Sequence, residues 1–210
     1  MPNSVGAAPA EYSDRLLVVV GPTAVGKSEF ALLACERFGG EVVSVDSMQV
    51  YRGLDRGTAK PTPEVRGRVP HHGIDLADPG RDFSLGDFVR AAGRVIDSIR
   101  GRSRLPVLVG GTGLYLRGLL KGIVEAPRRQ EAIRARLLDL AGRRGTPHLH
   151  RLLRRVDREA AARLPAGDRQ RLVRALEVYF ASRRGLSELI RASPFGADRY
   201  ASVKIGLSME

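Results

Sequence analysis

Short apolar segments alternate with helical patterns in the first half of the chain. The segments Arg15–Val20, Glu41–Val45 and Leu105–Val109 are apolar at most positions, which is typical of strands buried on both faces of a parallel sheet. Between the first two lies Lys27–Phe38, a helical pattern that ends at a pair of glycines. This succession predicts a βαβ unit and an α/β fold.

One long connection and two more helices are predicted in this half. Residues Ser47–Pro70 contain scattered glycines and prolines, and we expect a functional loop because idle loops of this length are uncommon in compact domains. Ser84 and Asp87 have capping-box spacing ahead of an apolar helical face that ends at Gly101. Another helix is predicted over Leu114–Lys121.

The pattern changes after Ala126, where strand-like segments disappear and short amphipathic helices follow. A last apolar segment, Val203–Leu207, predicts a strand that returns to the sheet, so the helices form an insertion. We therefore expect a disordered N-terminus over 1–14, an α/β core over 15–125 and 200–210, and a helical domain over 126–199. The predicted helices of that domain are Glu131–Ala141, His148–Arg155, Asp157–Leu164 and Arg169–Arg184.

The distribution of charge along the chain also separates the α/β core from the helical domain. The chain has 35 Lys and Arg against 23 Asp and Glu, a net charge of +12. Residues 128–184 contain 16 arginines, no lysine and 6 acids. Such an excess favours a polyanionic partner, although solvated helix faces are the alternative interpretation.

Cysteine content and hydropathy limit the cellular setting. The only cysteine, Cys35, falls in the first predicted helix, so we expect a core residue, no disulfide and a reducing compartment. No segment approaches the roughly 18 apolar residues that span a bilayer, and Met1–Asp14 lacks the features of a secretion signal. A cytoplasmic protein without a membrane partner is expected.

The strongest single motif is a P-loop. It fits G-x-x-x-x-G-K-[ST] and lies between a predicted strand and a predicted helix, the context that this motif requires. Its backbone N–H groups and the helix N-terminus bind phosphate oxygens, the lysine bridges phosphates, and the terminal serine, Ser28, can ligate Mg²⁺. The predicted phosphate-binding residues are Gly21, Pro22, Thr23, Ala24, Val25, Gly26, Lys27 and Ser28.

A P-loop alone does not distinguish ATPases, kinases and other transferases. ATPases and GTPases normally place a magnesium-binding Asp at the end of another apolar strand, whereas Leu105–Val109 is followed by Gly-Gly-Thr-Gly. Nucleotide hydrolysis is therefore disfavoured. Asp46, at the end of the second strand, is the carboxylate best placed to face the phosphates.

Several strings in order resemble the tRNA dimethylallyltransferases, also called tRNA isopentenyltransferases, from Leu17 almost to the end of the chain. They are Gly-Pro-Thr-Ala-Val-Gly-Lys-Ser at 21–28, Val-Asp-Ser-Met-Gln-Val-Tyr-Arg at 45–52, Gly-Thr-Ala-Lys-Pro at 57–61, His-His-Gly-Ile-Asp at 71–75, Val-Gly-Gly-Thr-Gly-Leu-Tyr at 109–115 and Asp-Arg-Gln-Arg-Leu-Val-Arg-Ala-Leu-Glu-Val at 168–178. The resemblance implies a P-loop NTPase-like parallel sheet flanked by helices, with an inserted all-helical, Arg-rich tRNA-binding module.

It also implies an activity. The expected reaction transfers a dimethylallyl group from dimethylallyl diphosphate to N6 of the adenine 3′ of the anticodon, in tRNAs that read codons beginning with U. The attacking amine needs a base, for which Asp46 is the candidate, and the leaving pyrophosphate needs cations. Lys27, Ser28 and Mg²⁺ fit that need, and by resemblance Thr23 contacts the diphosphate. We expect the protein to act as a monomer.

The resemblance assigns tRNA contacts to two segments and to the single residues Thr112 and Arg134. The segment from Asp46 to Gln49 matches the part that contacts the target adenine, which must leave the anticodon stack, and 170–174 matches a helix that grips the anticodon loop. The predicted contacts are Asp46, Ser47, Met48, Gln49, Thr112, Arg134, Gln170, Arg171, Leu172, Val173 and Arg174.

Other residues have weaker cases. His71, His72 and Asp75 lack metal-ligand spacing, so we expect structural hydrogen bonds. Tyr115 suits either base stacking or core packing. Two alternatives stay open. Kinases share the strand, P-loop and helix, so one alternative is a small-molecule kinase. Members of the family usually continue past the strand at 203–207 with a diphosphate-binding arginine, so the other is a truncated chain that binds tRNA or diphosphate without turnover.

Overall fold

The computed structural model describes residues 15–193 and 196–209, so the predicted disordered segment 1–14 lies outside the described residues. The described chain divides into two compact units, one formed by 15–122 with 196–209 and the other by 123–193. These limits fall a few residues before those expected at 126 and 199. No helix within the described ranges is long and apolar enough to cross a membrane.

The first unit is built on a five-stranded sheet in which every strand pair is parallel, with the order β3-β2-β4-β1-β5. The predicted α/β class is confirmed. Its strands are β1 Arg15–Val20, β2 Gly40–Ser44, β3 His71–His72, β4 Leu105–Val109 and β5 Ala201–Gly206. Its helices are α1 Lys27–Phe38, α2 Pro63–Arg68, α3 Leu85–Gly101 and α4 Gly113–Lys121.

Burial explains why the central strands were visible in the sequence. Every residue of β2 and β4 is buried, as expected for parallel strands covered on both faces. The Cys35 side chain lies fully buried in the core beside β1, β2 and β4. By contrast, β5 pairs with β1 at the sheet edge and is largely exposed.

Local signals set the helix ends. Ser84 and Asp87 form the predicted capping box, in which each backbone N–H is bound by the other side chain. The expected loop Ser47–Pro70 contains the short helix α2, which begins with Thr62 as N-cap and proline at its first position. Only six residues long, α2 has no buried side chain, so no apolar periodicity marked it.

The second unit contains five helices in its described residues, and its chain is inserted between α4 and β5. They pack around a leucine- and alanine-rich core that includes Leu149, Leu153, Leu172 and Leu176. The last helix was not predicted, because seven residues give too little periodicity. The helices are α5 Glu131–Arg144, α6 Thr146–Val156, α7 Arg158–Arg163, α8 Arg169–Ser182 and α9 Leu186–Ala192.

A cluster of charged side chains lies at the amino ends of β2, β3 and β4. The buried Glu41 carboxylate accepts hydrogen bonds from Arg102 Nη2 and His72 Nε2, each at 2.7 Å, and lies 3.7 Å from Arg104 Nε. Burial alone would raise the pKa of Glu41, but the hydrogen bonds and charges of Arg102 and His72 outweigh it and lower the pKa. Glu41 therefore stabilises the fold as an anion.

Replacing Glu41 with Gln is expected to lower the free energy of unfolding at pH 7 by about 2 kcal/mol, the loss typical of a hydrogen bond to a charged group. A depressed folded pKa contributes stability above the unfolded value near 4.5, and that contribution disappears as the pH falls through the folded pKa. Urea denaturation of both proteins between pH 7 and pH 3 should therefore show the difference shrinking below pH 4.5. Glu36→Gln, which breaks the more exposed pair with Arg68, is the matched control and should cost little.

Candidate functional site

The P-loop connects β1 to α1 at the carboxyl edge of the sheet. Its backbone takes left-handed values at Ala24 (φ 67°) and Gly26 (φ 86°), and a non-glycine residue in that region marks strain of the kind that collects at ligand-binding loops. Gly21 also has positive φ, and a Cβ there would lie 2.4 Å from the Leu207 carbonyl oxygen. Since no side chain caps the N-terminus of α1, its first N–H groups are available to an anion.

The polar side chains of the P-loop face solvent or the loop itself. Thr23 and Ser28 are exposed, and neither hydroxyl has a hydrogen-bond partner among the described residues. Lys27 Nζ donates to the carbonyl oxygen of Pro22 at 2.5 Å, so the ammonium group lies over the loop. This arrangement leaves one cation and two hydroxyls for a phosphate ligand.

Asp46 begins the connection that follows β2. Its Oδ1 accepts hydrogen bonds from the backbone N–H groups of Met48 (2.8 Å) and Gln49 (3.4 Å), which forms an Asx turn. The carboxylate is only half-buried, and Oδ2 has no partner in the described part of the chain. One oxygen therefore shapes the turn, and the other is available to a substrate.

Thr112 joins the Asp46 turn to the end of β4. Thr112 Oγ1 accepts from the backbone N–H of Ser47 at 3.0 Å, and the Thr112 N–H donates to the carbonyl oxygen of Val45 at 3.2 Å. The strand ends also approach very closely, because a Cβ on Gly110 would lie 2.1 Å from that same carbonyl oxygen. Two predicted contact regions, 46–49 and Thr112, are thus brought together.

Within this turn, Met48 and Gln49 differ in availability. The Met48 side chain is 51% exposed, and it offers a flexible apolar surface to a ligand. Gln49 is occupied, since Oε1 accepts from Ser44 Oγ and Nε2 donates to the carbonyl oxygens of Thr58 and Ala59. As placed, the Gln49 side chain secures the loop, while its backbone remains part of the turn.

Lys60 supports the same loop and was missed as a structural residue. Its side chain is 1% exposed, and Nζ lies 2.7 Å from Asp55 Oδ1, 2.9 Å from Asp75 Oδ1 and 2.9 Å from the Tyr51 carbonyl oxygen. Burial lowers the pKa of Lys60, but the two carboxylates outweigh it and raise the pKa. The strings at 57–61 and 71–75 contained Lys60 and Asp75, but nothing in the sequence paired them.

Predicted tRNA contacts in the helical unit require a correction. Leu172 and Val173 are fully buried in its core, so their side chains cannot contact RNA. Gln170 and Arg171 are exposed, with Arg171 Nη1 3.4 Å from Asp168 Oδ2. The prediction that all five residues 170–174 contact tRNA was too broad, because only one face of α8 reaches solvent.

Arg134 and Arg174 converge on the buried Glu177. Their Nη1 atoms lie 3.6 Å and 3.2 Å from Glu177 Oε2, and Arg174 Nη2 donates to the Pro127 carbonyl oxygen at 2.8 Å. Glu177 Oε1 also accepts from the Gln130 N–H at 2.6 Å. The two arginines are therefore positioned by an internal carboxylate, which the sequence did not reveal.

His71, His72 and Tyr115 have structural roles. His71 Nδ1 lies 2.7 Å from the Val69 carbonyl oxygen, and His72 binds Glu41 as described. Tyr115 is buried and stacks on Phe88 with 4.2 Å between ring centroids. Of its two predicted roles, the structure supports core packing.

Gly110→Ala is expected to destabilise the first unit by about 1–3 kcal/mol, the range typical of overpacking, because the added Cβ would collide with the Val45 carbonyl group. Gly111→Ala is the matched control, since a Cβ there meets nothing within 4 Å. Thermal unfolding of both variants gives the comparison. Equal stability of the two would contradict the close approach of the strand ends.

The chain is similar to known families and proteins. A family model described as IPP transferase matches residues 49–210, and one described as isopentenyl transferase matches residues 14–68. The chain is 49% identical over 196 residues to tRNA dimethylallyltransferase 2 of Geotalea uraniireducens, and 48% identical over 196 residues to tRNA dimethylallyltransferase of Geobacter sulfurreducens. Each match covers 93% of this chain and 63% of the relative.

Solved structures of the same family are also similar to this chain. The tRNA isopentenylpyrophosphate transferase of Bacillus halodurans is 40% identical, with a TM-score of 0.57 over 94% of this chain and 61% of its own. A eukaryotic dimethylallyltransferase acting on tRNA is 25% identical, with a TM-score of 0.79 over 94% of this chain and 49% of its own. The chain thus spans less than two thirds of these relatives, and it belongs to the IPP transferase family.

Proposed function

We propose that this chain carries the donor and acceptor sites of a tRNA dimethylallyltransferase. It moves a dimethylallyl group from its diphosphate to N6 of the adenine 3′ of the anticodon, in tRNAs that read codons beginning with U. One observation carries the proposal: the P-loop follows β1, the Asp46 turn follows β2, and Thr112 follows β4, which lies between them. A phosphate-binding loop and an available carboxylate therefore share one edge of the sheet.

The chemistry needs both groups. The N6 lone pair attacks the first allylic carbon while the carbon–oxygen bond breaks, and its electron pair leaves with pyrophosphate. The proton from N6 passes to Oδ2 of Asp46, the oxygen not used in the Asx turn. Lys27, the N–H groups at the start of α1 and the Thr23 hydroxyl stabilise the charge that grows on pyrophosphate.

A magnesium ion fits the donor side. Ser28 offers an exposed hydroxyl in the first turn of α1, and Mg²⁺ prefers oxygen ligands while keeping several waters and substrate phosphate oxygens. Ser28 would hold the ion together with the diphosphate. When bound, the ion supplies positive charge that stabilises the leaving group.

Recognition of tRNA falls to both units. The exposed Met48 suits stacking against an adenine that has left the anticodon stack. In the helical unit, Arg171 and Arg174 are three residues apart and present guanidinium groups to phosphates, while Arg134 shares the Glu177 anchor. We propose that the enzyme works as a monomer in the cytoplasm, where its tRNA substrate is processed.

The test separates the two roles of Asp46. Asp46→Asn keeps an acceptor for the Met48 and Gln49 N–H groups but removes the base, whereas Asp46→Ala removes both. We expect Asp46→Asn to slow transfer of label from dimethylallyl diphosphate to unmodified tRNA by about 10²–10⁴-fold, a much larger effect than its effect on tRNA affinity. Asp46→Ala should lose transfer and also lower the melting temperature. Single-turnover transfer and tRNA binding are measured on each.

Other results would favour the competing functions. Full transfer by Asp46→Asn would remove Asp46 as the base. If the unaltered chain binds tRNA in a salt-sensitive way and transfers no label, it is a non-catalytic binder. If it neither binds tRNA nor transfers label but phosphorylates a small acceptor with ATP, it is a kinase.

A further inference from the structure

Three arginines surround His148 where α5 meets α6. Arg144 lies in the last turn of α5, while Arg151 and Arg155 are one helical turn apart on α6. Arg151 Nη2 lies 3.5 Å from His148 Nδ1. All three arginines are exposed, and we call Arg144, Arg151 and Arg155 the α5–α6 arginine cluster.

The described residues place no acidic side chain at ion-pair distance from this cluster. Within 15–193 and 196–209, no carboxylate lies within ion-pair distance of any of its three arginines. Like charges one turn apart destabilise a helix, so Arg151 and Arg155 repel each other. Arg144 and Arg155 lie in the last turns of α5 and α6, where the helix dipole favours a cation. Some other exposed arginines of the same unit are paired, namely Arg143 with Asp139, Arg184 with Glu188, and Arg191 with Glu159, whereas no ion pair within the described residues involves Arg136, Arg154, Arg158, Arg169 or Arg183.

His148 reports the uncompensated charge. Loss of hydration and the positive charges of Arg144, Arg151 and Arg155 lower the pKa of the His148 imidazole. A ligand that brought negative charge to the cluster would reverse the effect of the arginines. His148 is therefore a built-in probe of what binds there.

The chemistry of the cluster suits phosphate better than protein. Guanidinium groups bind phosphate oxygens through paired N–H donors, and all three members of the cluster are arginines. Protein interfaces instead centre on buried aromatic or aliphatic anchors, and on α5 and α6 Leu138 alone is a large exposed hydrophobic side chain.

We propose that the α5–α6 arginine cluster is a second RNA-contact surface, which binds backbone phosphates of the tRNA and is built on helices other than the Gln170–Arg174 segment of α8. This inference rests on the proposed function and names a further part of its RNA site. Phosphate contacts position RNA without reading its sequence. Loss of the cluster should therefore raise KM for every tRNA substrate and leave kcat and the KM for dimethylallyl diphosphate unchanged.

The test is the triple variant R144Q/R151Q/R155Q, with tRNA affinity measured from 50 to 300 mM salt. Each phosphate contact contributes about 0.7–0.9 to the slope of log affinity against log salt, so the slope should fall by about 2–3. The matched control R143Q/R184Q/R191Q removes the same charge from paired arginines and should change the slope by less than about 1. Thermal unfolding verifies that both variants are folded.

The pKa of His148 gives a second test, which reports on the cluster directly. The His148 imidazole is titrated by NMR in the free protein and in the tRNA complex, with H148Q used to assign its signal. We expect the His148 pKa to rise in the complex, because phosphates offset the arginine charges. In contrast, polyglutamate at equal charge concentration should neither compete with tRNA nor shift His148, and an equal effect of polyglutamate would overturn the assignment to RNA.

The outcomes distinguish this inference from the function on which it rests. Normal transfer and binding by R144Q/R151Q/R155Q, with His148 unmoved by tRNA, would overturn the second surface and leave the transferase intact. Absence of tRNA binding by the unaltered chain would overturn both.

Discussion

The close approach of backbone to backbone at the carboxyl edge of the sheet is the constraint on which the site depends. The end of β4 passes the end of β2 so tightly that Gly110 has no room for a Cβ beside the Val45 carbonyl group, and Gly21 is confined in the same way by Leu207. Because of these contacts, Thr112 reaches the Ser47 N–H. The P-loop and the Asp46 turn are consequently held by rigid strands rather than by mobile loops.

Charged side chains have two different uses in this protein. Buried ions hold segments in place. Lys60 pairs with Asp75 and so fixes the long loop, and Glu41 pairs with Arg102 at the amino ends of the strands. In the helical unit, Glu177 pairs with Arg174. Their desolvation is offset by several partners each. Exposed arginines with no ion pair among the described residues, such as Arg151, are open to a polyanionic ligand.

Much of the fold was predictable because its signals are local. The P-loop spacing, the continuous apolar strands and the Ser84–Asp87 capping box are all set by residues close in sequence. Short elements such as α9 were missed since they lack a full period. The roles of Gln49 and Lys60 were not predictable, because their partners lie five to fifteen residues away and no sequence pattern marks the pairing.

In the proposed reaction, the P-loop holds the diphosphate of an allylic donor rather than a nucleotide. Calorimetry with Mg²⁺ tests this most directly, by comparing the affinities of dimethylallyl diphosphate, pyrophosphate and ATP for the same protein. We expect dimethylallyl diphosphate to bind at least as tightly as pyrophosphate, the two ligands to compete, and ATP to gain no affinity from its adenosine. Tighter binding of ATP than of dimethylallyl diphosphate, without competition from the latter, would contradict it.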